Sequence, residues 1–265
     1  MPSASTATDS LLLVRPVHLA GPGDADLPYH LAAHHGWFRP YDASPRVVLV
    51  SDTDGLTLSH RAGPAPWSLA GPKLGSDWSI VFDDQVPAEI AQALLDDAAT
   101  GVRRTPELFA GTGRLLGNDA RTVLLAAGWS GHQRDGYELI AAPDRRAALA
   151  FPVQAPDSEV MLTGAAELGS WTVRFSPHSP ERLLTSAASA LLRPALRREA
   201  HLPFRHRHLL AVESLSAQSP SSARSGAART RSTSALVFAP NRSPRPGADA
   251  WPPTSSPRAP QRRPV

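Results

Sequence analysis

The stretch Trp78-Ser-Ile-Val-Phe82 is repeated later in the chain as Trp171-Thr-Val-Arg-Phe175, and this pair of segments decides the fold. A second pair lies upstream, where the motif Gly36-Trp37 is repeated as Gly128-Trp129. From the first tryptophan to the second there are 41 residues in one copy and 42 in the other. Motifs that recur in one order at near-constant spacing indicate one supersecondary unit used twice. The 265 residues therefore predict two small units that support each other.

Hydrophobic periodicity predicts the same order of elements in both copies. For the first copy we predict a helix near 27–35, strands at 46–50, 56–60 and 77–82, and a closing helix from Pro87, with 63–76 as a connection. For the second we predict a helix at 119–127, strands near 137–141, 147–151, 159–163 and 170–175, and a closing helix from Ser179-Pro180. The Ser179 hydroxyl is expected to cap that helix. The predicted fold class is α+β, with two tandem α-β-β-β-α units and antiparallel sheets.

Composition predicts the boundaries of these units. We predict a disordered leader at 1–10, a first repeat at 11–100, a linker at 101–118, a second repeat at 119–193, a basic helical extension at 194–215 and a disordered tail at 216–265. The tail is rich in Ser, Pro, Ala and Arg and cannot bury enough apolar surface to offset chain entropy. Residues 11–20, interrupted by Pro16, are predicted to include an edge strand.

The basic charge of the chain is concentrated in the tail. Residues 216–265 hold eight arginines and one acid, Asp249, whereas residues 1–215 hold 19 basic and 23 acidic residues. The part predicted to fold is therefore mildly acidic, although the whole chain has a formal net charge of +3. The chain has no cysteine, which excludes disulfides and cysteine-ligated zinc. We expect a cytoplasmic protein with no signal peptide and no membrane span.

Three of these segments resemble a known family. They are His18-Leu-Ala-Gly-Pro-Gly-Asp24, the helix end Ala126-Ala-Gly-Trp129, and the Trp-x-(Ile/Val)-x-Phe strand that precedes a proline. Together they are similar to the actinobacterial SPDY family, a domain of unknown function that often occurs as two copies. The resemblance covers roughly residues 14–193, and it implies no activity, ligand or catalytic residue. The Ser-Pro-Asp-Tyr tetrapeptide of the family corresponds to Ala142-Pro-Asp144-Arg in the second copy and to Ser51-Asp-Thr-Asp54 in the first, both degenerate.

The positions that match between the copies are glycines, tryptophans, prolines and aliphatic residues, all of which burial or backbone conformation explains. One polar match, Asp54 with Asp144, lies at a hairpin tip, where Asp is a turn former. A duplicated active site would be expected to retain its nucleophile or base in both copies. We therefore predict no catalytic residue, no cofactor and no metal site, and we expect that the protein is not an enzyme.

Isolated motifs do not change this prediction. Ser130 in Gly128-Trp-Ser-Gly131 lacks the spacing and the preceding strand of a nucleophile elbow. His30 and His34 are four residues apart on a predicted helix, but the glutamate of a zinc-protease helix is missing, and we expect solvent-facing histidines. The remaining clusters are interpreted as a solvated helix end (His201, His206 and His208) and as turns or solvated helix faces (Asp52/Asp54, Asp83/Asp84 and Asp96/Asp97). Gly111–Gly117 has one residue too many for a dinucleotide fingerprint.

Two functional hypotheses remain in order of preference. The first is a non-enzymatic binding or protein-interaction module, with the open sheet face or the groove between the repeats as its contact surface. The second is an accessory nucleic-acid-binding protein that uses the basic C-terminal region. In that hypothesis the phosphate contacts would include five arginines ahead of the tail: Arg193, Arg197, Arg198, Arg205 and Arg207. The tail alone could also lack any selected role.

Overall fold

Helices and strands follow the same order in the two halves of the chain. The computed structural model describes residues 10–23, 27–40, 46–51, 55–61, 66–71, 77–109, 114–155, 157–167 and 169–215, and both the predicted tail and all but Ser10 of the predicted leader lie outside them. The helices are α1 (Leu27–His34), α2 (Ala88–Arg104), α3 (Asn118–Ala126) and α4 (Glu181–Leu192). The strands are β1 (Leu11–Arg15), β2 (Arg46–Val50), β3 (Thr57–Arg61), β4 (Trp67–Ala70), β5 (Ser79–Phe82), β6 (Ser130–Arg134), β7 (Tyr137–Ala141), β8 (Ala147–Pro152), β9 (Val160–Ala166), β10 (Gly169–Phe175), β11 (Ala195–Arg198) and β12 (Ala211–Leu215). The predicted α+β class with antiparallel sheets is confirmed.

Nine strands form one continuous antiparallel sheet in the order β2-β3-β4-β5-β10-β9-β8-β7-β6. The two halves meet at β5 and β10, which are the strands that carry the repeated Trp-x-x-x-Phe motif. Phe82 lies opposite Val173, and Ile80 lies opposite Phe175. Because position 80 corresponds to 173 and position 82 to 175, this register has the reciprocal form of a local two-fold axis. The two halves of the large sheet therefore pair edge to edge through β5 and β10.

Hydrogen bonds beside this seam repeat the same reciprocity. The Asp83 N–H donates to the Thr172 carbonyl at 3.3 Å, and the Ser176 N–H donates to the Ser79 carbonyl at 2.9 Å. Side chains continue the pattern, since the Asp83 carboxylate accepts the Thr172 N–H and the Ser176 hydroxyl accepts the Ser79 N–H. The hydroxyl of Ser179 donates to the Ser79 carbonyl at 3.2 Å instead of capping α4, so the prediction of a serine cap is wrong.

In the nine-stranded sheet, the structure adds two strands to the predicted set. Strand β4 lies inside the predicted connection 63–76, where it is only four residues long and has Trp67 and Leu69 as its buried positions. Strand β6 is polar and exposed along its whole length, so it has no alternation for a sequence pattern to detect. In the first copy the corresponding segment is reduced to one bridge between Phe38 and Val50.

Each repeated tryptophan packs against a glycine seven residues before it. A Cβ atom on Gly71 would lie 2.1 Å from the Trp78 ring, and one on Gly164 would lie 2.3 Å from the Trp171 ring. Both tryptophans are buried. Only a residue without a side chain permits this approach, so Gly71 and Gly164 form a further matched pair of the repeat.

The indole N–H groups of these tryptophans bind turns from opposite halves of the chain. Trp78 donates to the Phe109 carbonyl at 2.8 Å, and Trp171 donates to the His18 carbonyl at 3.0 Å. His18 lies in a 3-10 turn at Val17–Leu19, and Phe109 lies in a 3-10 turn at Pro106–Phe109. The turn before α1 is thus held by the second copy, and the turn before α3 is held by the first.

The two turns also correspond in sequence, as Pro16-Val-His-Leu-Ala-Gly-Pro-Gly23 and Pro106-Glu-Leu-Phe-Ala-Gly-Thr-Gly113. The predicted linker 101–118 is therefore wrong as a boundary. Its first four residues belong to α2, and Phe109 is fully buried with its ring against Gly101. The segment that matches between the two halves begins at Pro106, 13 residues before the predicted start of the second repeat at 119.

Residues 194–215 are not the predicted basic helical extension. They form β11, two 3-10 turns and β12, and the two strands flank β1 in a three-stranded antiparallel sheet. Pro194 ends α4, and alternation then buries Ala195 and Arg197 while Leu196 and Arg198 face solvent. Strand β1 is the central strand of this sheet, which corrects its prediction as an edge strand. Pro16 follows the strand and removes no ladder hydrogen bond.

The helices cover one face of the large sheet. On α2 and α4, buried residues at helical spacing form the core-facing surfaces of the helices, as predicted. They include Ile90, Leu94, Leu183, Leu184 and Ala187. The central strands alternate buried and half-exposed residues, so their second face is accessible. Within the described part of the chain, every helix falls short of the length and apolar character that a membrane span requires.

Candidate binding groove between the repeats

Helices α2 and α4 run beside each other and leave a groove on their shared outer surface. This inter-repeat groove has a volume of about 1060 Å³ and is lined by both copies. The residues that define it are Gln92, Asp96 and Asp97 on α2 and Arg182, Ser186 and Ser189 on α4, with His34 and His35 at one end and Arg193 at the other. It corresponds to the predicted groove between the repeats.

The two copies differ at the positions that line this groove. Positions in α2 and α4 correspond at an offset of 93 residues, as Pro87 and Pro180 do. The core-facing pairs are all apolar: Ile90/Leu183, Ala91/Leu184, Leu94/Ala187, Leu95/Ala188 and Ala98/Leu191. The pairs that line the groove on both helices change chemistry: Gln92/Thr185, Ala93/Ser186, Asp96/Ser189 and Thr100/Arg193. Packing is thus shared between the copies, whereas the polar surface is not.

Asp97 joins the two walls of the groove. Its Oδ1 accepts the Arg182 guanidinium, with Nε at 2.7 Å, and its Oδ2 accepts the Ser186 hydroxyl at 2.8 Å. The Asp97 side chain is only 13% exposed, so the prediction of a solvated helix face is wrong for this residue. The hydrogen bond that Arg182 donates to Asp97 also raises the pKa of Arg182 above its usual range. The sequence signal for this contact is the offset of 93, which places Arg182 and Ser186 where the first copy has Glu89 and Ala93.

His35 and Asp96 form a second polar contact in the groove. The His35 Nε2 donates to the Asp96 Oδ1 at 2.8 Å, and the Arg103 guanidinium donates to the His35 carbonyl at 3.4 Å. His30 and His34 are exposed, as predicted. Across the described residues, His, Asp and Glu do not come together in any group of three or more that could hold a metal ion. The groove therefore offers hydrogen bonds and charge rather than metal ligands.

A smaller cavity adjoins the groove where α2 begins and α4 ends. It has a volume of about 630 Å³, shares Gln92, Ala93, Asp96 and Arg193 with the groove, and is named here the Arg193 cavity. Its lining also includes Glu89 in the first turn of α2 and three basic residues around β11, which are Arg197, Arg198 and His201. Three of the five arginines predicted as phosphate contacts thus converge on one cavity.

Arg197 does not fit the predicted role of a nucleic-acid contact. It is 5% exposed, its guanidinium is paired with both oxygens of Glu89, and its Nη2 donates to the Gly21 carbonyl at 2.8 Å. A phosphate could reach this group only by opening the fold, so the structure removes Arg197 from the predicted set. The residue instead ties β11 to α2 and to the turn that follows Leu19.

The other predicted arginines are exposed. Arg193 and Arg198 lie at the Arg193 cavity, and Arg205 donates to the Glu167 carbonyl at 3.1 Å. Arg207 forms an ion pair with Glu199 at 2.9 Å, and this contact lowers the pKa of the Glu199 carboxyl. His201 and His208 are exposed, while burial and the nearby Arg146 lower the pKa of His206. These histidines belong to 3-10 turns and their flanks rather than to the predicted helix end.

His18 connects the two segments on which the family resemblance depends. Its Nε2 lies 2.8 Å from the Asp144 Oδ2, and its ring meets the Trp129 ring edge-on at a centroid distance of 6.3 Å. Asp144 is the aspartate of the degenerate tetrapeptide, and it also accepts the Arg146 N–H at 3.0 Å. His18 is 5% exposed, and its contact with Asp144 joins the first turn to the loop between β7 and β8. Asp54 lies outside the described residues.

Ser130 begins β6 at the outer edge of the sheet, directly after the turn that ends α3. No strand leads into it, which agrees with the prediction that it is not at a nucleophile elbow. Comparisons with models of protein families, with curated proteins and with solved structures find no match to this chain.

Proposed function

We propose that this chain is a non-enzymatic binding module built from two SPDY-like repeats, and that it holds a segment of a partner protein in the inter-repeat groove. The observation that carries the proposal is the divergence of the copies at the groove. Positions under selection for packing alone would stay alike on both helices, whereas here the outward positions of α2 and α4 exchange acids, bases, hydroxyls and amides.

The shape and chemistry of the groove favour a polypeptide over a small molecule. The groove is open to solvent, and its charges are of both signs, with Asp96 and Asp97 on one wall and Arg182 on the other. Interfaces of this type combine moderate apolar area with several hydrogen bonds and a polar rim. The Asp97 contact keeps the two walls at a fixed distance, which reduces the conformational cost of binding.

Site-specific photo-crosslinking tests the proposal. A crosslinking amino acid is placed at Gln92 or Ser189, which lie on opposite walls of the groove, and as a control at His132 on the outer strand β6. The full chain is exposed to its cell extract, and crosslinked proteins are identified by mass spectrometry. We expect one protein to be captured from both groove positions and not from His132. Capture from His132 alone, or of different proteins from Gln92 and Ser189, would contradict the proposal.

An accessory nucleic-acid-binding role is the second candidate, and the exposed Arg193 and Arg198 favour it. Binding through phosphates weakens steeply with salt. DNA and RNA binding of the full chain is measured at low and at physiological salt, beside a chain that ends at Leu215. Removal of the tail with unchanged binding would implicate these arginines. The absence of any low-salt shift for the full chain would eliminate this role.

A further inference from the structure

The nine-stranded sheet has an accessible face on the side away from the helices, named here the open sheet face. Alternation along the strands assigns to it the positions between the buried ones. On the five central strands these positions are Ser68, Ala70, Ser79, Val81, Ser170, Thr172, Arg174, Met161, Thr163, Ala165, Ala148, Ala150 and Pro152. Arg174 is the one charged residue in this set, and it lies 3.8 Å from Glu159. The centre of the open sheet face is therefore small and almost uncharged.

This lack of charge is specific to the open sheet face. The outward positions of α2 include Asp96, Arg103 and Arg104, so the same chain places many charges on its helical side. A sheet face that stays in water normally carries such residues, because charged side chains prefer exposure. Depletion of charge is instead the compositional mark of the centre of a protein interface.

The open sheet face is also alike in the two copies. Corresponding positions are small or aliphatic in both copies in the pairs Val48/Leu139, Val50/Ala141, Thr57/Ala148, Ser59/Ala150, Ala70/Thr163 and Ser79/Thr172. The pairs that differ are Ser68/Met161 and Val81/Arg174. Outward positions of α2 and α4 have diverged in the same chain, so likeness on an accessible face indicates that this face packs against another surface.

The symmetry of the open sheet face selects what covers it. The reciprocal register of β5 and β10 places a local two-fold axis at its centre, so similar residues lie on either side of that axis. A peptide or a small molecule lacks this symmetry, whereas a second copy of the chain has it, and two-fold dimers are the commonest assemblies. Duplex nucleic acid is also two-fold, but its phosphates require cations. On the central strands the only cation is Arg174, which lies beside Glu159.

The area of the open sheet face suits a dimer. Strands lie about 4.8 Å apart and advance about 3.3 Å per residue, so nine strands of about five residues give a footprint of roughly 700 Å². A stable interface takes about 800 Å² from each partner. Small side chains also permit the spacing of about 10 Å at which two sheets pack face to face.

We infer that two copies of this chain associate through their open sheet faces, as a dimer whose two sheets stack like the layers of a β-sandwich. The helices lie on the other side of each sheet. The dimer would therefore present two inter-repeat grooves on its outer surfaces, and the inference does not depend on what those grooves bind.

The oligomeric state of the full chain provides the first test. Light scattering and sedimentation are measured over a range of concentrations, and we expect the mass to rise to twice that of one chain. Thr163→Arg would bring one added cation from each copy into the contact, so we expect the dissociation constant of the dimer to rise about a hundredfold. Thr122→Arg introduces the same residue at an exposed position of α3, on the helical side, and is the matched control.

A second measurement needs no substitution and locates the contact. The chain has only 2 methionines, so the methyl NMR signal of Met161 is readily assigned. We expect the methyl signals of Met161 and Val81 to shift as the chain is diluted from dimer to monomer. The methyl signals of Leu125, which is 43% exposed on α3, should stay unchanged.

A single-chain mass at every concentration up to about 100 µM would overturn the inference. A dimer that Thr163→Arg leaves intact, or that Thr122→Arg dissociates equally, would overturn it as well. Shifts at Leu125 without shifts at Met161 would place the contact on the helical side and contradict the inference. If circular dichroism shows that Thr163→Arg is unfolded, the methyl shifts of the unmodified chain decide.

Discussion

The two closing helices α2 and α4 occupy equivalent places in the fold and share only one of their faces. On the face toward the sheet, every corresponding pair is apolar, and large and small residues exchange places, as in Leu94/Ala187 and Ala91/Leu184. On the outer face, acids in α2 correspond to hydroxyl or apolar residues in α4, and Glu89 corresponds to Arg182. The comparison separates two demands on a duplicated sequence. Packing conserves total volume, whereas the groove needs two different walls.

The largest expected effect is at Arg197, whose ion pair with Glu89 has no counterpart in the first copy. Arg197→Ala would leave Glu89 half buried and unpaired, and we expect a loss of about 3 to 5 kcal/mol in the free energy of unfolding. Urea unfolding measures it. Arg198→Ala is the matched control. Arg198 faces solvent, so this substitution should change the free energy of unfolding by less than about 1 kcal/mol. Equal effects of both changes would show that β11 is not a packed part of the fold.

A second test compares the two glycines that pack against the repeated tryptophans Trp78 and Trp171. Gly71→Ala and Gly164→Ala each place a methyl group inside an indole ring, so we expect a loss of about 2 to 3 kcal/mol at both positions. Gly131→Ala serves as the control, since its Cβ would lie at an ordinary 3.4 Å from Ile140 on an exposed strand. Unfolding monitored by tryptophan fluorescence measures all three. A large loss of stability at only one of the two glycines would mean that the copies do not pack equivalently.

The third test converts one wall of the groove into its counterpart. Asp97→Ala reproduces Ala190, the corresponding residue of α4, and removes the contacts with Arg182 and Ser186. Because Arg182 is 43% exposed, water replaces part of what is lost, and we expect only about 1 kcal/mol of destabilisation. In a double-mutant cycle, Arg182→Gln should add little to Asp97→Ala. Independent, fully additive effects would show that the two side chains do not interact in solution.

The smallest effect concerns pH at the seam between β5 and β10. Burial raises the pKa of Asp83 above its ordinary value of 3.8, so its protonated form is favoured in the folded state. The contribution of Asp83 to stability therefore falls as pH rises from 3.8 through the raised folded pKa. Asp83→Ser copies Ser176 and retains an acceptor for the Thr172 N–H.

This prediction is checked by measuring the free energy of unfolding against pH for the unmodified chain and for Asp83→Ser. Urea unfolding across acid pH should show that the unmodified chain loses stability relative to Asp83→Ser as the carboxyl ionises. Parallel curves for the two proteins would contradict the raised pKa. Asp84→Ser, which alters an exposed neighbouring carboxyl, controls for a general change of charge.

Patterns of neighbouring residues predicted the helix ends, the apolar faces of the helices and the longer strands, because each of these depends on residues close together in the chain. The Gly36 and Gly128 positions have positive φ angles of 78° and 86°, as helix-ending glycines should. The apolar faces of α2 and α4 and the longer strands follow from their periodicity. Strands β4 and β6 could not be found in this way, since one is four residues long and the other is wholly exposed.

The remaining features depend on residues far apart in the chain. His18 and Asp144 are separated by 126 positions, and Arg197 and Glu89 by 108. No local sequence pattern relates the members of such pairs. In the sequence, an arginine that is buried against a distant carboxylate cannot be distinguished from a surface arginine. The groove was predicted only as a place between the repeats. The contacts of Asp97 with Arg182 and Ser186 follow from the packing of α2 against α4, which no local pattern predicts.

Strands β1 and β12 are hydrogen-bonded neighbours, with Leu11 opposite Leu215. The first and last strands of the fold therefore end side by side, and a short peptide could join them without moving either sheet. New ends could then be opened at Asp135-Gly136, the tight turn between β6 and β7, where both residues are exposed. Such a rearranged chain would keep every contact of the fold. Both ends of such a chain would lie at the turn between β6 and β7, where fluorescent labels or fused proteins could be attached.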